Sequence, residues 1–312
     1  MAAIERLLEH DTAGDPMTGL RWTRKTTANV AAQLCQLGIQ VSARTVARLL
    51  RQLRFSLRRN VKRLGARHPA RNQQFRYISR LRSRFQRQGN PIISVDAKKR
   101  ELVGNFKNAG AKWDRQPTAV NDHDFPSLAD GVAILYGIYE PEANRGVMFV
   151  GVSHETSAFA ASSIRSWWGQ QGRRCYSHAQ HLLILADTGG SNSARRGAWK
   201  DQLQSQLCDR FGLTVTVAHY PTGASKYNPI ERRLFSQISR NWAGEPLTSY
   251  EKILKFIRTT STSTGLRVTA RLDRKEYPVG IKPSAQRLQE LHIRRPKFAP
   301  QWNYTIKPSN VK

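Results

Sequence analysis

Apolar positions in the first part of the chain recur at helical spacing. Val30, Ala31, Leu34, Cys35 and Leu37 form one stripe, with Thr26 or Thr27 placed to cap it and Gly38 to end it. After a short Ile39-Gln40-Val41 link, Ser42 can cap a second helix in which Val46, Leu49, Leu50 and Leu53 keep the same period. Two short helices about a glycine turn predict a helix-turn-helix. Phe75, Tyr77, Ile78, Leu81 and Phe85 predict a further helix over 69–88 with a single apolar seam. Ahead of these, 1–21 carries turn chemistry at Gly14-Asp15-Pro16 and reads as a loosely held extension.

From residue 91 the pattern changes to short apolar runs alternating with helical stripes. Strands are predicted over 92–96, 131–140, 146–152, 181–186 and 213–218. Helices are predicted from Thr156 or Ser157 to Trp168, and over 194–211, 228–241 and 250–260. A hairpin over 266–277 and a short helix near 284–291 follow. The long polar link between the first two strands reads as an ordered surface excursion, since structureless loops of that length are uncommon. The order β-β-β-α-β-α-β-α implies an α/β fold, a mixed sheet with helices on its faces, preceded by an all-α helix-turn-helix segment. The expected divisions are an extension at 1–21, a helix-turn-helix domain at 22–60, a basic linker helix at 61–88 and an α/β domain at 89–312.

Charge sharpens this picture. Lys and Arg number 51 against 22 Asp and Glu, a formal net charge of +29, which calls for a polyanionic partner, above all nucleic acid. Between residues 16 and 95 there is no Asp or Glu at all. The exposed face of the second helix would carry Arg44, Thr45, Arg48 and Arg51, suited to phosphates and guanine edges in a major groove. Arg58, Arg59, Lys62 and Arg63 continue the basic run and would grip the DNA backbone without reading sequence. The three cysteines fit no metal or disulfide spacing and read as packed, reduced thiols of a cytoplasmic, nucleoid-associated protein. No membrane partner is expected, because no apolar run approaches the roughly 18 residues of a span.

Within this basic chain, two acids stand directly after apolar strands: Asp96 in SVDAKK and Asp187 in LILADTGGSN. If those strands are neighbours, the carboxylates lie side by side. Glu231, in NPIERR, opens the helix after the fifth strand and can add a third. It can equally be a capping-box acid over Asn228 and Pro229, and the two roles can coexist. Glu245 is the next candidate if Glu231 is only a cap. Three close carboxylates would raise one another's pKa values, and Mg²⁺ relieves that repulsion through oxygen ligands. Two such ions serve phosphodiester chemistry, with Mn²⁺ as a substitute. Lys98, Lys99, Lys226, Arg232 and Arg233 flank the acids and could contact substrate phosphates. Ser191 and Asn192 could bond phosphate or cap the following helix. No Walker ending and no His/Cys cluster argues for a nucleotide triphosphatase or a zinc site. His154 reads as structural, and Trp167-Trp168 as core.

The motifs SVDAKKRELVGNFKNAGAKW, HDF, YGIYE, HETSAFAASSIRSWW, LILADTGGSNSAR and HYPTGASKYNPIERRLFSQISRNWAGEPL occur in this order. Together they resemble the insertion-sequence DDE transposases of the Rhodopirellula type (ISAzo group). That resemblance implies an RNase H-like core, DNA cleavage at element ends and strand transfer, with the triad on Asp96, Asp187 and Glu231. It also implies duplex DNA as partner, both element ends and target, and a homo-oligomer assembled on it. Pro229 departs from the polar residue usual there, with little effect expected at a helix start. The short segment before the helix-turn-helix suggests an N-terminal truncation. The alternatives are a catalytically decayed transposase that only binds DNA, and a structure-selective nuclease of the RNase H type.

Overall fold

The computed structural model describes residues 1–9, 12–14, 21–23, 25–55 and 69–309. The chain divides into two compact units, Met1–Leu64 and Gly65–Lys312. Arg58, Arg59, Lys62 and Arg63 lie outside the described residues.

In the smaller unit, α1 (Ala2–Glu9) is followed by strands β1 (Thr12–Gly14) and β2 (Arg21–Thr23), paired antiparallel, then α2 (Thr27–Gln36) and α3 (Ala43–Gln52). Both expected caps form: the Thr26 and Ser42 hydroxyls accept from the Asn29 and Thr45 amides, each at 3.1 Å. The loose extension is corrected for α1. Its Ile4 and Leu8 are buried with Val30, Leu34 and Val46, because two short helices alone leave this core open on one side.

The larger unit is built on a mixed sheet with the order β8-β5-β4-β3-β6-β7-β10-β9. Its elements, in chain order, are α4 (Arg71–Arg87), β3 (Ile92–Val103), β4 (Gly131–Glu140), β5 (Arg145–Gly151), α5 (Ser157–Trp167), α6 (Arg173–Cys175), β6 (His181–Ala186), α7 (Gly197–Leu203), α8 (Asp209–Phe211), β7 (Thr214–His219), α9 (Ser236–Asn241), α10 (Tyr250–Arg258), β8 (Arg267–Asp273), α11 (Ala285–Gln289), β9 (Ile293–Arg294) and β10 (Asn303–Ile306). β3, β4 and β5 run antiparallel, and β6 and β7 join parallel to β3, the RNase H-like arrangement. One face is covered by α5 and α7 through Phe159, Trp167, Trp168 and Trp199. The other is covered by α9, the turn before it and α10 over β4, β5 and β8. On β3, β6 and β7 that cover passes to α4, whose seam Ile78, Leu81 and Phe85 is buried against Ile92, Leu183 and Leu185. The helix expected as a linker is therefore a layer of this unit.

The hairpin expected over 266–277 is absent. β8 pairs parallel with β5 instead, which covers an otherwise open sheet edge. β9 and β10 escaped the sequence pattern because two and four residues are too few for a period. The excursion 104–130 is ordered as expected: Asn108 reaches the Trp242 and Glu245 carbonyls, and the Gly244 amide donates to the Ala109 carbonyl. Among the described residues no helix is long and apolar enough to cross a membrane. Of the free cysteines only Cys208 is packed; Cys35 and Cys175 are exposed.

Candidate active site

The register of the sheet brings the two aspartates together. β3 pairs parallel with β6 from Ile92↔Leu183 to Val95↔Ala186, so Asp96 and Asp187 are the next residues on adjacent strands. β6 ends there, but β3 does not. It continues against β4 to Val103, with Asp96 opposite Gly137. Asp96 is thus not at a strand end as expected. It stands where the parallel pairing stops and only the antiparallel partner goes on.

The third carboxylate arrives by a polar tie. The Ser94 hydroxyl, buried two residues before Asp96, donates to Asn228 Oδ1 at 2.5 Å and accepts from the Ile230 amide at 3.1 Å. The Asn228 amide side chain reaches the Val95 carbonyl at 3.4 Å. The turn carrying NPIE is therefore fastened to β3. The capping-box expectation is corrected: the Asn228 backbone amide donates to the Ser225 carbonyl at 2.8 Å, leaving nothing for Glu231 to cap. Glu231 instead opens a single π turn, Glu231–Phe235, before α9. Gly137 makes room for it. A Cβ there would sit 2.5 Å from the Phe235 ring and 2.8 Å from Ile230 Cδ1, so only glycine lets this helix lie so close to β4 beside Asp96.

Burial and repulsion raise the carboxylates. Burial, then the charges of Asp187, Glu231 and Glu155, push Asp96 up to about 8, against one bond from the Ala97 amide. Burial and Glu231 push Asp187 up to about 6, opposed by the Asn228 amide. Glu231 is raised by burial and held back by Lys98. Asp187 Oδ1 is buried with no hydrogen-bond partner. Neither aspartate forms an ion pair among the described residues. Nor, among those residues, does any group of three His, Cys, Asp or Glu close tightly enough to hold a metal ion as it stands. The carboxylates are within electrostatic range but not drawn into one ligand shell. The oxygen-only donors, raised pKa values and partnerless Asp187 oxygen fit a hard divalent cation.

Several site residues escaped the sequence reading. Glu155, just before α5, accepts from the Ser191 amide at 3.0 Å and adds a fourth carboxylate to the cluster. Asn192 does not point to substrate: its Oδ1 accepts from the buried Tyr136 hydroxyl at 2.8 Å, and its carbonyl faces His219 Nε2 at 2.8 Å. The Ser191 carbonyl accepts from Ser157 Oγ. The loop after Asp187 is thus held by β4, β7 and α5 together. Gly137 and Ser94 did leave a signal, a glycine and a serine inside apolar strands. His219 and Tyr136 looked like ordinary strand residues.

The basic residues are placed unequally. Lys98 is bound to Glu101 at 2.5 Å and lies 4.7 Å from the Trp242 ring centroid, whereas Lys99 is exposed. Lys226, Arg232 and the unanticipated Arg240 line a groove beside Glu231. Arg233 lines its continuation towards Thr262 and Thr264. In the smaller unit, Arg44, Arg48 and Arg51 are exposed on α3, while the Thr45 hydroxyl lies 3.0 Å from that of Ser42. Glu245 is engaged by Lys112 and Lys252, which hold its carboxyl below the usual range.

No curated protein matches the chain. Among solved structures it is similar to a Mos1 transposase paired-end complex with the left transposon end, at 18% identity over 82% of this chain and 68% of that one, TM-score 0.44. It is also similar to Mos1 mariner paired-end complexes with Mn (18%, 82% and 69%, TM-score 0.42) and with Mg (19%, 81% and 68%, TM-score 0.39). A family model, the Rhodopirellula transposase DDE domain, matches residues 3–308, a span that takes in both strand-borne aspartates, the fastened Glu231 turn and the sheet that aligns them. The chain belongs to that family and is a DDE-type DNA transposase.

Proposed function

We propose that this transposase cleaves DNA at the ends of an insertion sequence and joins the freed ends to target DNA, with Asp96, Asp187 and Glu231 as its catalytic carboxylates. Each step is an in-line displacement at phosphorus. A water oxygen first attacks the end phosphodiester, the P–O3′ bond breaks and the 3′ oxygen takes up a proton. That 3′-hydroxyl then attacks a target phosphodiester, forming a new P–O3′ bond as the target's own 3′ oxygen leaves. The observation that carries this reading is the Val95↔Ala186 register, which sets two uncompensated carboxylates side by side.

The three carboxylates would hold two Mg²⁺, with Mn²⁺ as substitute; bound there, such ions activate an attacking oxygen and stabilise a leaving one. Lys99, Lys226, Arg232, Arg233 and Arg240 bind substrate phosphates. Lys98, tied to Glu101, tempers the charge beside Glu231. The Ser94–Asn228 tie and the Tyr136–Asn192–His219 chain orient the loops that bear the acids. The α2–α3 pair is the helix-turn-helix, α3 reading element ends through Arg44, Thr45, Arg48 and Arg51. Arg58, Arg59, Lys62 and Arg63 extend the grip on the backbone, and two or more copies assemble on paired ends.

Nicking of an end-bearing duplex in Mg²⁺ tests this. Asp96→Asn, Asp187→Asn and Glu231→Gln should each lower the rate by on the order of 10³-fold, the scale of a lost group acting in the transition state, with end binding retained. Nicking by Glu231→Gln within a few-fold of the parent would return Glu231 to a structural role.

A further inference from the structure

On the face of the sheet that carries α4, the cover is incomplete. The α4 seam closes over β3, β6 and part of β7, and beyond it lies an open groove of about 690 Å³ between α4 and the last strands, β9 and β10. Tyr77, Leu81 and Phe85 line its α4 side, and its floor carries hydroxyls. Thr216 of β7 and Thr305 of β10 are cross-strand partners whose hydroxyls meet at 3.1 Å.

The walls are cationic. Arg84 comes from α4, His181 from the start of β6, Arg294 from β9, Arg295 and Lys297 from the turn after it, and Lys307 follows β10. Among the described residues no Asp or Glu lines the groove. None of these cations pairs with a carboxylate among the described residues; the one side-chain bond is from Arg295 to the Pro300 carbonyl at 3.1 Å. They come from segments far apart in sequence, so their convergence is a product of the fold and not of one basic run.

His181 and Asp187 mark opposite ends of β6, and Thr216 on the groove floor is level with Leu183, four residues short of Asp187, so at about 3.3 Å per residue the groove begins ~13 Å from the catalytic acids and reaches to ~20 Å. A phosphate bound here is not the scissile one. We propose that this groove is a second DNA-binding surface, which holds the sugar–phosphate backbone of duplex DNA away from the bond being cut. The proposal rests on the reading of the chain as a DNA-cleaving transposase, but it concerns other residues and another readout.

The test uses the full chain carrying Arg294→Glu with Lys297→Glu, and separately Arg84→Glu on the opposite wall. Affinity for a 40-base-pair end-bearing duplex is measured across a salt series, beside the melting temperature. Two lost phosphate contacts should reduce the slope of log K against log salt by about 2, at about 0.9 per phosphate, and weaken binding at least tenfold at 0.1 M salt. Arg84→Glu should reduce the slope by about half as much. The nicking rate at saturating DNA should stay at the parental value. Unchanged slope and affinity in properly folded variants would overturn the proposal. So would loss of self-association with the DNA slope intact, which would make the groove a protein interface. Failure of the parent to nick would sink the catalytic reading alone, because the salt slope reports on the groove regardless.

Discussion

Glu140 and Asp187 are both carboxylates drawn into the same sheet, one at the end of β4 and one just past β6, and they are treated in opposite ways. Glu140 is 1% exposed and fully provided for. Arg145, Gln171 and Tyr176 bind it at 2.8, 2.9 and 2.9 Å, and the Trp167 indole donates at 3.3 Å. Asp187 has the Asn228 amide on its side but keeps one buried oxygen without a partner, and among the described residues the charges that act on it are those of acids. A buried charge that folding has satisfied is a structural clamp. One that folding leaves unsatisfied is a candidate for chemistry. The difference lies in the surroundings, since an apolar strand with a terminal acid describes both positions.

This contrast can be broken from either side. The largest effect expected is on chemistry at the unsatisfied acids, as stated for the triad. Glu140→Gln should do the reverse. Unpairing Arg145 in that cluster costs about 3 kcal/mol, roughly 6–12 °C in melting temperature for a domain of this size. Nicking well below the melting point should stay within a few-fold of the parent. A Glu140→Gln protein with parental melting temperature would remove Glu140 from the comparison as a clamp.

Next in size is Gly137→Val. Its side chain would meet Phe235 and Ile230, so the turn bearing Glu231 must move. Overpacking costs about 1–3 kcal/mol, and a displacement near 1 Å can lower the rate by about 10²-fold. Thermal melting and nicking measured together should therefore show a kinetic loss larger than the loss of fold. Parental nicking would mean that the position of Glu231 is not set by this contact.

The remaining effect is in pH. The Asp96 carboxyl is raised from its ordinary 3.8 to about 8, so between those values the folded state holds a proton that the unfolded chain has released. The stabilisation is complete below the ordinary value and is lost as pH rises towards 8. In Asp96→Asn this contribution is gone. Without metal, the variant's melting temperature should gain on the parent's between pH 5 and pH 8, and millimolar Mg²⁺ should narrow the gap at pH 8. A difference independent of pH would show that Asp96 is not raised.

Local chemistry made much of this molecule legible from sequence. The Thr26, Ser42 and Thr156 caps accept from the third amide beyond them, as short hydroxyl and apolar periodicity dictate. Strands of six to ten residues, such as β4 and β6, are long enough to show a pattern. The acids stood out because each followed such a pattern in a basic chain. What the sequence could not determine were relations across the sheet. The Val95↔Ala186 register, the Ser94–Asn228 tie, the close approach at Gly137 and the convergence of Arg84 with Arg294 and Lys307 join residues scores of positions apart. Their partners are chosen by packing, which a one-dimensional pattern does not encode. For the same reason the capping-box role of Glu231 was decided only by the fold, which commits the Asn228 backbone amide to the Ser225 carbonyl.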